Sequence, residues 1–212
     1  MLWIITGLIS SYLIGSIPNA YIFGRLLKGI DIRNSGSGNV GATNALRVLG
    51  KGPGITVLFL DILKGFLVVF FLGGFLSPKI AFLSSETLLL FLGLSCICGH
   101  NWTLFLNFKG GKGIATTLGV LLGLAFKIAG LKLILALLLI TWFAVFISTR
   151  IVSLASIAAG IALPIYLFLF KQSGILLVAS TILSLFIILR HKSNLQRLVK
   201  GQEPRLNFKK GK

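Results

Sequence analysis

Ile55-Thr-Val-Leu-Phe-Leu-Asp61-Ile-Leu-Lys64-Gly-Phe-Leu-Val-Val-Phe-Phe-Leu-Gly-Gly-Phe-Leu76 is the stretch that decides the fold class. It outruns the roughly 18 residues of apolar sequence that mark a helix crossing a bilayer. Asp61 and Lys64 sit inside it at i, i+3, on one helical face, where they can pair. Two accounts of them stand side by side. One is an intrahelical pair that neutralises itself; the other is an intramembrane charge turned toward a polar cavity.

Working outward, residues 2–23, 86–98, 114–126, 133–147, 151–170 and 174–189 are apolar as well. The expected fold is all-α: a polytopic membrane helix bundle of about seven transmembrane spans, a single integral membrane domain over 1–212. Segment 86–98 is too short to cross ~30 Å at 1.5 Å per residue unless its flanks contribute. Of the 212 residues 56% are hydrophobic and 12% charged, more apolar sequence than a water-facing domain of this size can hide. The N-terminus has no basic n-region and no small-residue cleavage site, so segment 2–23 is expected to be a retained span. Ser153, Ser156, Ala158, Ala159 and Gly160 line one side of the sixth segment, as close helix packing requires.

The formal net charge is +17, with 21 Lys+Arg against four acids, Asp31, Asp61, Glu86 and Glu203. In a soluble chain this balance would point to nucleic acid. Here the basic residues flank the apolar runs, which indicates topology and lipid headgroups instead, with no nucleic-acid partner. Lys79, Lys127, Lys132 and Lys171 fall on one side of a seven-span arrangement. Every other Lys and Arg except Lys64 falls on the opposite side. The N-terminus is therefore expected outside, and both polar insertions and the C-terminal tail in the cytoplasm. A five-span arrangement, with segments 86–98 and 114–126 re-entrant or interfacial, keeps the same sides. No internal repeat is evident, which weighs against a transporter built on inverted halves.

Cys96 and Cys98 are expected to be small buried hydrophobes, since Cys-x-Cys-x-His lacks a fourth ligand. Asp31 and Glu203 would make a poor magnesium cage. No metal and no organic cofactor is expected.

Three polar blocks interrupt the hydrocarbon. The first runs Ser35-Gly36-Ser37-Gly38-Asn39-Val40-Gly41-Ala42-Thr43-Asn44-Ala45-Leu46-Arg47. It satisfies GxGxxG formally, but no strand precedes it and Asp61 lies in a span, so a dinucleotide site is excluded. A loop of this composition can fold its amides around an oxyanion, with Ser37, Asn39, Thr43 and Asn44 as donors and Arg47 as a bidentate clamp. The bland alternative is a flexible surface loop, though such loops are richer in Glu, Lys and Pro.

The second block runs from Gly99 to Gly113 and ends Phe108-Lys109-Gly110-Gly111-Lys112-Gly113. Bare N–H groups at Gly110, Gly111 and Gly113, with Lys109 and Lys112 beside them, suit a phosphate at the start of the next helix. It is not a Walker A loop, because no Ser or Thr follows the Lys. The alternative is an interfacial turn whose lysines touch lipid phosphates. The third block places His191 and Asn194 on one face of the exit from the last span. Leu195 and Leu198 indicate a short interfacial helix ended by Gly201, and Glu203 is expected to pair with a cation and hold the tail.

Together these blocks resemble the bacterial membrane family of acyl-phosphate-dependent glycerol-3-phosphate 1-acyltransferases. The resemblance rests on Gly36 to Arg47, on Gly99-His100-Asn101-Trp102 with Phe108 to Gly113, and on His191-x-x-Asn194 with Arg197, Leu198, Gly201 and Glu203. The family often has Pro after His-Asn-Trp; this chain has Thr103. The resemblance implies transfer of a fatty acyl group from acyl phosphate to the 1-hydroxyl of glycerol 3-phosphate, giving lysophosphatidic acid and phosphate, the first acylation of phospholipid synthesis. It implies catalytic roles for Ser37, Arg47, His191 and Asn194, substrate binding by Gly110, Gly111 and Gly113 beside Lys109 and Lys112, and a structural role for Glu203. From the residues themselves, Gly38, Asn39, Gly41, Thr43 and Asn44 join the substrate-binding set. The protein is expected to be a monomer in the bacterial inner (cytoplasmic) membrane, with its site on the cytoplasmic face and an acyl-phosphate-producing enzyme upstream. Two other classes compete. A transporter of a phosphorylated solute would use Asp61 and Lys64 but needs binding elements reachable from both sides. A membrane scaffold would leave the glycines and the His-Asn pair without a role.

Overall fold

Pro18 divides the first span. Its missing N–H and its ring, which disfavours helix at Ile17, end α1 (Leu2–Ser16), and the chain restarts as α2 (Asn19–Lys28). The computed structural model describes residues 1–206; Lys209, Lys210 and Lys212 of the basic tail lie outside them. A 3-10 turn, Ile32–Asn34, follows, capped by Asp31 accepting the Arg33 N–H. Next come α3 (Ala42–Leu49) and α4 (Lys51–Leu67), the latter running through a π-helical turn, Val68–Leu72, into α5 (Gly73–Leu76). α6 (Ser85–Asn101) begins at a Ser84 hydroxyl that accepts the Thr87 N–H. The remaining helices are α7 (Ile114–Lys127), α8 (Leu131–Thr149), α9 (Val152–Leu169), α10 (Gly174–Arg190) and α11 (Lys192–Val199). No strand occurs among the described residues.

All seven apolar segments are helical. By length and composition, five stretches among the described residues can cross a membrane: 2–28, 51–79, 85–106, 131–149 and 152–169. A sixth is added if α10 and α11, bent by 59°, count as one span. α7 has 14 residues, a rise of about 21 Å against the ~30 Å of the hydrocarbon. The third segment is longer than its apolar run suggests. α6 continues through Gly99, His100 and Asn101, because its last carbonyls find donors in the Gly110 and Gly111 N–H groups.

The chain falls into two compact units, Met1–Leu131 and Lys132–Lys212. In the first, α1 packs on α6 and α4 on α7 so closely that glycine is required. A Cβ at Gly15 would overlap the Cys96 carbonyl, one at Gly99 that of Tyr12, one at Gly65 that of Thr116, and one at Gly119 that of Ile62. Such small-residue crossings let helix backbones approach where no water drives them together. Cys96 is buried among Val68, Leu76, Leu88 and Leu92, as a small hydrophobe, whereas Cys98 is exposed. In the second unit, α9 packs on α10 with Gly160 against Ile187. α8 is tied to α9 by a hydrogen bond between the Thr141 and Tyr166 hydroxyls and by Trp142 Nε1 donating to Ser156 Oγ.

Candidate active site

The first polar block is folded by Asn44, which is fully buried. Its Oδ1 accepts the Ser37 N–H at 2.8 Å, and its Nδ2 donates to the carbonyls of Ile32 and Ser35. Both amide hydrogens are thereby committed to the loop itself, so Asn44 shapes the block rather than standing among its open donors. The loop needs positive φ at Gly36 (62°) and Gly38 (70°), and a Cβ at Gly36 would overlap Asn44 Oδ1. Gly41 precedes α3 as its N-cap.

Neighbouring cations are divided between structure and surface. Asp31 receives Arg33 Nη2 at 2.6 Å and both Arg33 Nε contacts, and hydrogen bonding to that guanidinium holds its carboxyl down at about 2. Lys28 donates to the Val48 carbonyl. By contrast, the Ser37 hydroxyl, Asn39, Thr43 and the exposed Arg47 make no side-chain hydrogen bond or ion pair among the described residues.

The second block lies back against the end of α6. Gly110 N–H donates to Asn101 O and Gly111 N–H to His100 O. These two N–H groups, which the sequence suggests are bare, instead satisfy carbonyls that the helix end leaves open. The glycines are there because of close approach: a Cβ at Gly110 would overlap His100 O, and one at Gly111 would overlap His100 Nε2. Gly113, at φ 79°, is the N-cap of α7, whose first-turn amides point back to it. Lys109 is exposed and Lys112 half-buried. The two blocks share one apolar core: Leu106, from the turn inside the second, packs with Val40 and Ala45 of the first and with Ala20, Ile32 and Val57.

Beneath them lies a buried cluster that the sequence only half reveals. Lys64 pairs with Asp61 at 2.9 Å, so the self-neutralising account is correct. The pair is also wired outward. Asp61 Oδ1 accepts from Asn19 Nδ2 at 2.9 Å, and Lys64 Nζ reaches the Ile17 carbonyl at 3.2 Å and His100 Nδ1 at 2.8 Å. The Ile17 and Ser16 carbonyls are available because Pro18 broke the first span, and Thr103 Oγ1 takes the Ser16 carbonyl. Thr103, where the family often has Pro, thus ties α6 to α1. His100 is the residue sequence reasoning passed over. The signal was a His next to Asn101 in a polar motif, with Lys64, in another span, carrying more N–H donors than Asp61 alone can take.

In the second unit, His191 sits at the bend between α10 and α11, 3% exposed, and its Nδ1 donates to Ile187 O at 2.7 Å. Glu203 is the hub expected of it: Asn194 Nδ2 and Ser153 Oγ donate to Oε1 and Arg197 Nε to Oε2. Burial alone would raise its carboxyl, but those three donors outweigh it and hold the group below the usual range. Ser153, which on sequence is only a small packing residue, is therefore a ligand of the clip. Gly201, at φ 65°, turns the chain back after α11. Among the described residues no group of three or more His, Cys, Asp or Glu could hold a metal.

Comparison with known proteins follows the same residues. A family model for glycerol-3-phosphate acyltransferase matches residues 5–201. A glycerol-3-phosphate acyltransferase of Prochlorococcus marinus (strain NATL2A) is 43% identical, covering 92% of this chain and 94% of its own. One from Staphylococcus haemolyticus (strain JCSC1435) is 44% identical over 97% and 98%. The crystal structure of PlsY, an integral membrane glycerol 3-phosphate acyltransferase, in its glycerol 3-phosphate form superposes with a TM-score of 0.83 at 38% identity, over 96% of each chain. Its lysophosphatidic acid form gives 0.80 at 37% identity.

Proposed function

The chain belongs to the glycerol-3-phosphate acyltransferase family, and from that premise we propose that it moves a fatty acyl group from acyl phosphate to the 1-hydroxyl of glycerol 3-phosphate. The hydroxyl oxygen attacks the acyl carbon, the acyl C–O bond to phosphate breaks, and lysophosphatidic acid and inorganic phosphate leave. The observation that carries the proposal is the shared core of the two glycine-rich blocks, which seats both on one apolar platform while Ser37, Asn39, Thr43, Arg47 and Lys109 stay open. Two phosphates meet in this reaction, and two basic loops are built to receive them. An acyl tail needs hydrocarbon and glycerol phosphate needs water, so the reaction belongs where loops meet helix ends.

General-base candidates are few, and the acyl phosphate itself takes the hydroxyl proton while the protein orients both anions and stabilises developing charge. Ser37, Arg47, His191 and Asn194 act in that orientation, with Gly38, Gly41, Gly113 and Lys112 completing the binding set, while Gly110 and Gly111, whose N–H groups are spent on the end of α6, hold the turn in place. On this account His191→Ala keeps the shape of the pH–rate profile and costs less than the about 10²–10⁴ that a general base supplies. Loss of a limb near neutral pH would instead make His191 Nε2 the base. The loops face the cytoplasm, from the distribution of Lys and Arg. The enzyme works as a monomer, one integral domain over 1–212, in the inner membrane, fed by an enzyme that makes acyl phosphate.

The test is product formation by purified protein given labelled glycerol 3-phosphate with acyl phosphate, acyl-CoA or acyl carrier protein in separate reactions. Label in lysophosphatidic acid only with acyl phosphate is the expected result. Product only with a thioester overturns the donor. Silence with all three, from folded protein that moves glycerol 3-phosphate across a vesicle, overturns the enzyme in favour of a transporter.

A further inference from the structure

Ser35 to Gly38 form a turn closed by the Gly38 N–H, which donates to the Ser35 carbonyl at 3.1 Å. The Ser37 side chain is exposed there, while the Ser37 N–H is taken by Asn44 Oδ1 at 2.8 Å. The same amide group donates through Nδ2 to Ser35 O at 3.0 Å and to Ile32 O at 3.2 Å. This pattern asks for one acceptor and two N–H donors on one short side chain, which is the inventory of Asn; Asp has no donor to offer either carbonyl. Asn44 stands in the first turn of α3, and Arg47 leaves that helix three residues on. Val48, one turn after Asn44, closes on the loop as well: a Cβ at Gly36 would press on both side chains. The loop that carries Ser37 and the helix that carries Arg47 are thus joined through a side chain only 1% exposed.

We propose that Asn44 is a positioning residue for acyl transfer: it holds the Ser37 hydroxyl in register with Arg47, so that the two meet one phosphoryl group together. Asn44 itself touches no substrate and acts through Ser37. Because the Ser37 N–H is already spent, Ser37 takes part through its hydroxyl, which donates a hydrogen bond to the anion beside the guanidinium. The need for such a tether follows from the loop's composition. Glycines at 36, 38 and 41 leave the backbone more freedom to lose than other residues would, so a buried side chain has to decide where Ser37 stands. This inference rests on the acyl-transfer proposal, which gives Ser37 and Arg47 their phosphate.

A double-variant cycle on the full-length enzyme, with acyl phosphate as donor, is the test. Asn44→Ala is expected to lower kcat/KM about 10²-fold, the cost of a misplacement of about 1 Å. In a Ser37→Ala background the same change should cost little more, since the group it positions is already gone. The melting temperature, by contrast, should fall by the same amount in both backgrounds. Equal losses of kcat/KM in the two backgrounds would make Asn44 a purely structural residue and overturn the proposal. Should Asn44→Ala fail to fold, Asn44→Ser takes its place in the cycle; it keeps a polar group but stops short of Ser37. A second measurement needs no turnover. In full-length protein labelled with ¹⁵N-serine in nanodiscs, the amide signal lost in Ser37→Ala should exchange slowly with water, with or without glycerol 3-phosphate. Fast exchange would overturn the proposal. A parent protein that acylates with no donor, yet protects this amide, would defeat the proposed reaction and not the tether.

Discussion

The two histidines are both buried and both anchored through Nδ1, yet their anchors are opposite. Lys64 donates to His100, whereas His191 donates to the Ile187 carbonyl. A neutral His100 therefore carries its proton on Nε2, and a neutral His191 carries it on Nδ1. Each unit also holds a buried, satisfied carboxylate. Asp61 sits at membrane depth with a lysine as its counter-charge. Glu203 sits at a helix exit, where two neutral donors and Arg197 share it. The difference teaches that a residue type marks a site while its partner fixes the chemistry it can do.

Removing the deeper carboxylate is the harshest way to probe that contrast. Asp61→Asn leaves the Lys64 charge buried and unbalanced, and is expected to cost about 3–5 kcal/mol, read as a lower melting temperature in detergent. The double variant Asp61→Asn/Lys64→Met should recover a good part of that loss. If the single variant melted like the parent, the pair would not be the anchor of the His100 region.

Gly111→Ala comes next, because its Cβ would meet a ring that Lys64 holds in place. Overpacking of this kind costs about 1–3 kcal/mol, read as a lower melting temperature in detergent. Relief by His100→Ala in the same chain would sharpen the case that ring and glycine are one unit.

Glu203→Gln is the matching cut in the second unit. It removes the charge from hydrogen bonds to Asn194, Ser153 and Arg197, an expected loss of about 1–3 kcal/mol, read by hydrogen exchange of α11. The sign with pH follows from the lowered carboxyl of Glu203. Its stabilisation is complete above the unfolded carboxyl's value of about 4.3 and is lost as pH falls through the lower folded value. Protection of α11 should thus survive mild acid and fail only below that range, and the Gln variant should lose this dependence. Protection that faded near neutral pH would point to His191 rather than Glu203 as the clip.

Asp31→Asn is the smallest. Asp31 and Arg33 pair near the surface, where such pairs are worth about 0–1 kcal/mol. A large drop in activity would mean that Asp31 holds the first block in register.

The apolar runs were legible because a span needs only length and composition, and both are local. The ends of the helices were less so. α6 runs on through Gly99, His100 and Asn101 because the chain returns at Gly110 and Gly111 to bond its carbonyls, and nothing in the local pattern announces that return. The same holds for Asn44, which on composition could be an open donor and in the fold is spent on Ser37, Ile32 and Ser35.

By itself, the sequence determined an all-helical integral membrane chain through its hydrocarbon runs, and the resemblance of its three polar motifs to a known family implied an acyltransferase of glycerol 3-phosphate. Tertiary structure alone decided which polar groups are already committed. It fastened Lys64 to His100 across 36 positions, freed the Ile17 carbonyl for that same ammonium, and gave Ser153 to Glu203. The physical reason is that a buried donor or acceptor must find its partner wherever the fold brings one, and the distance along the chain has no bearing on it.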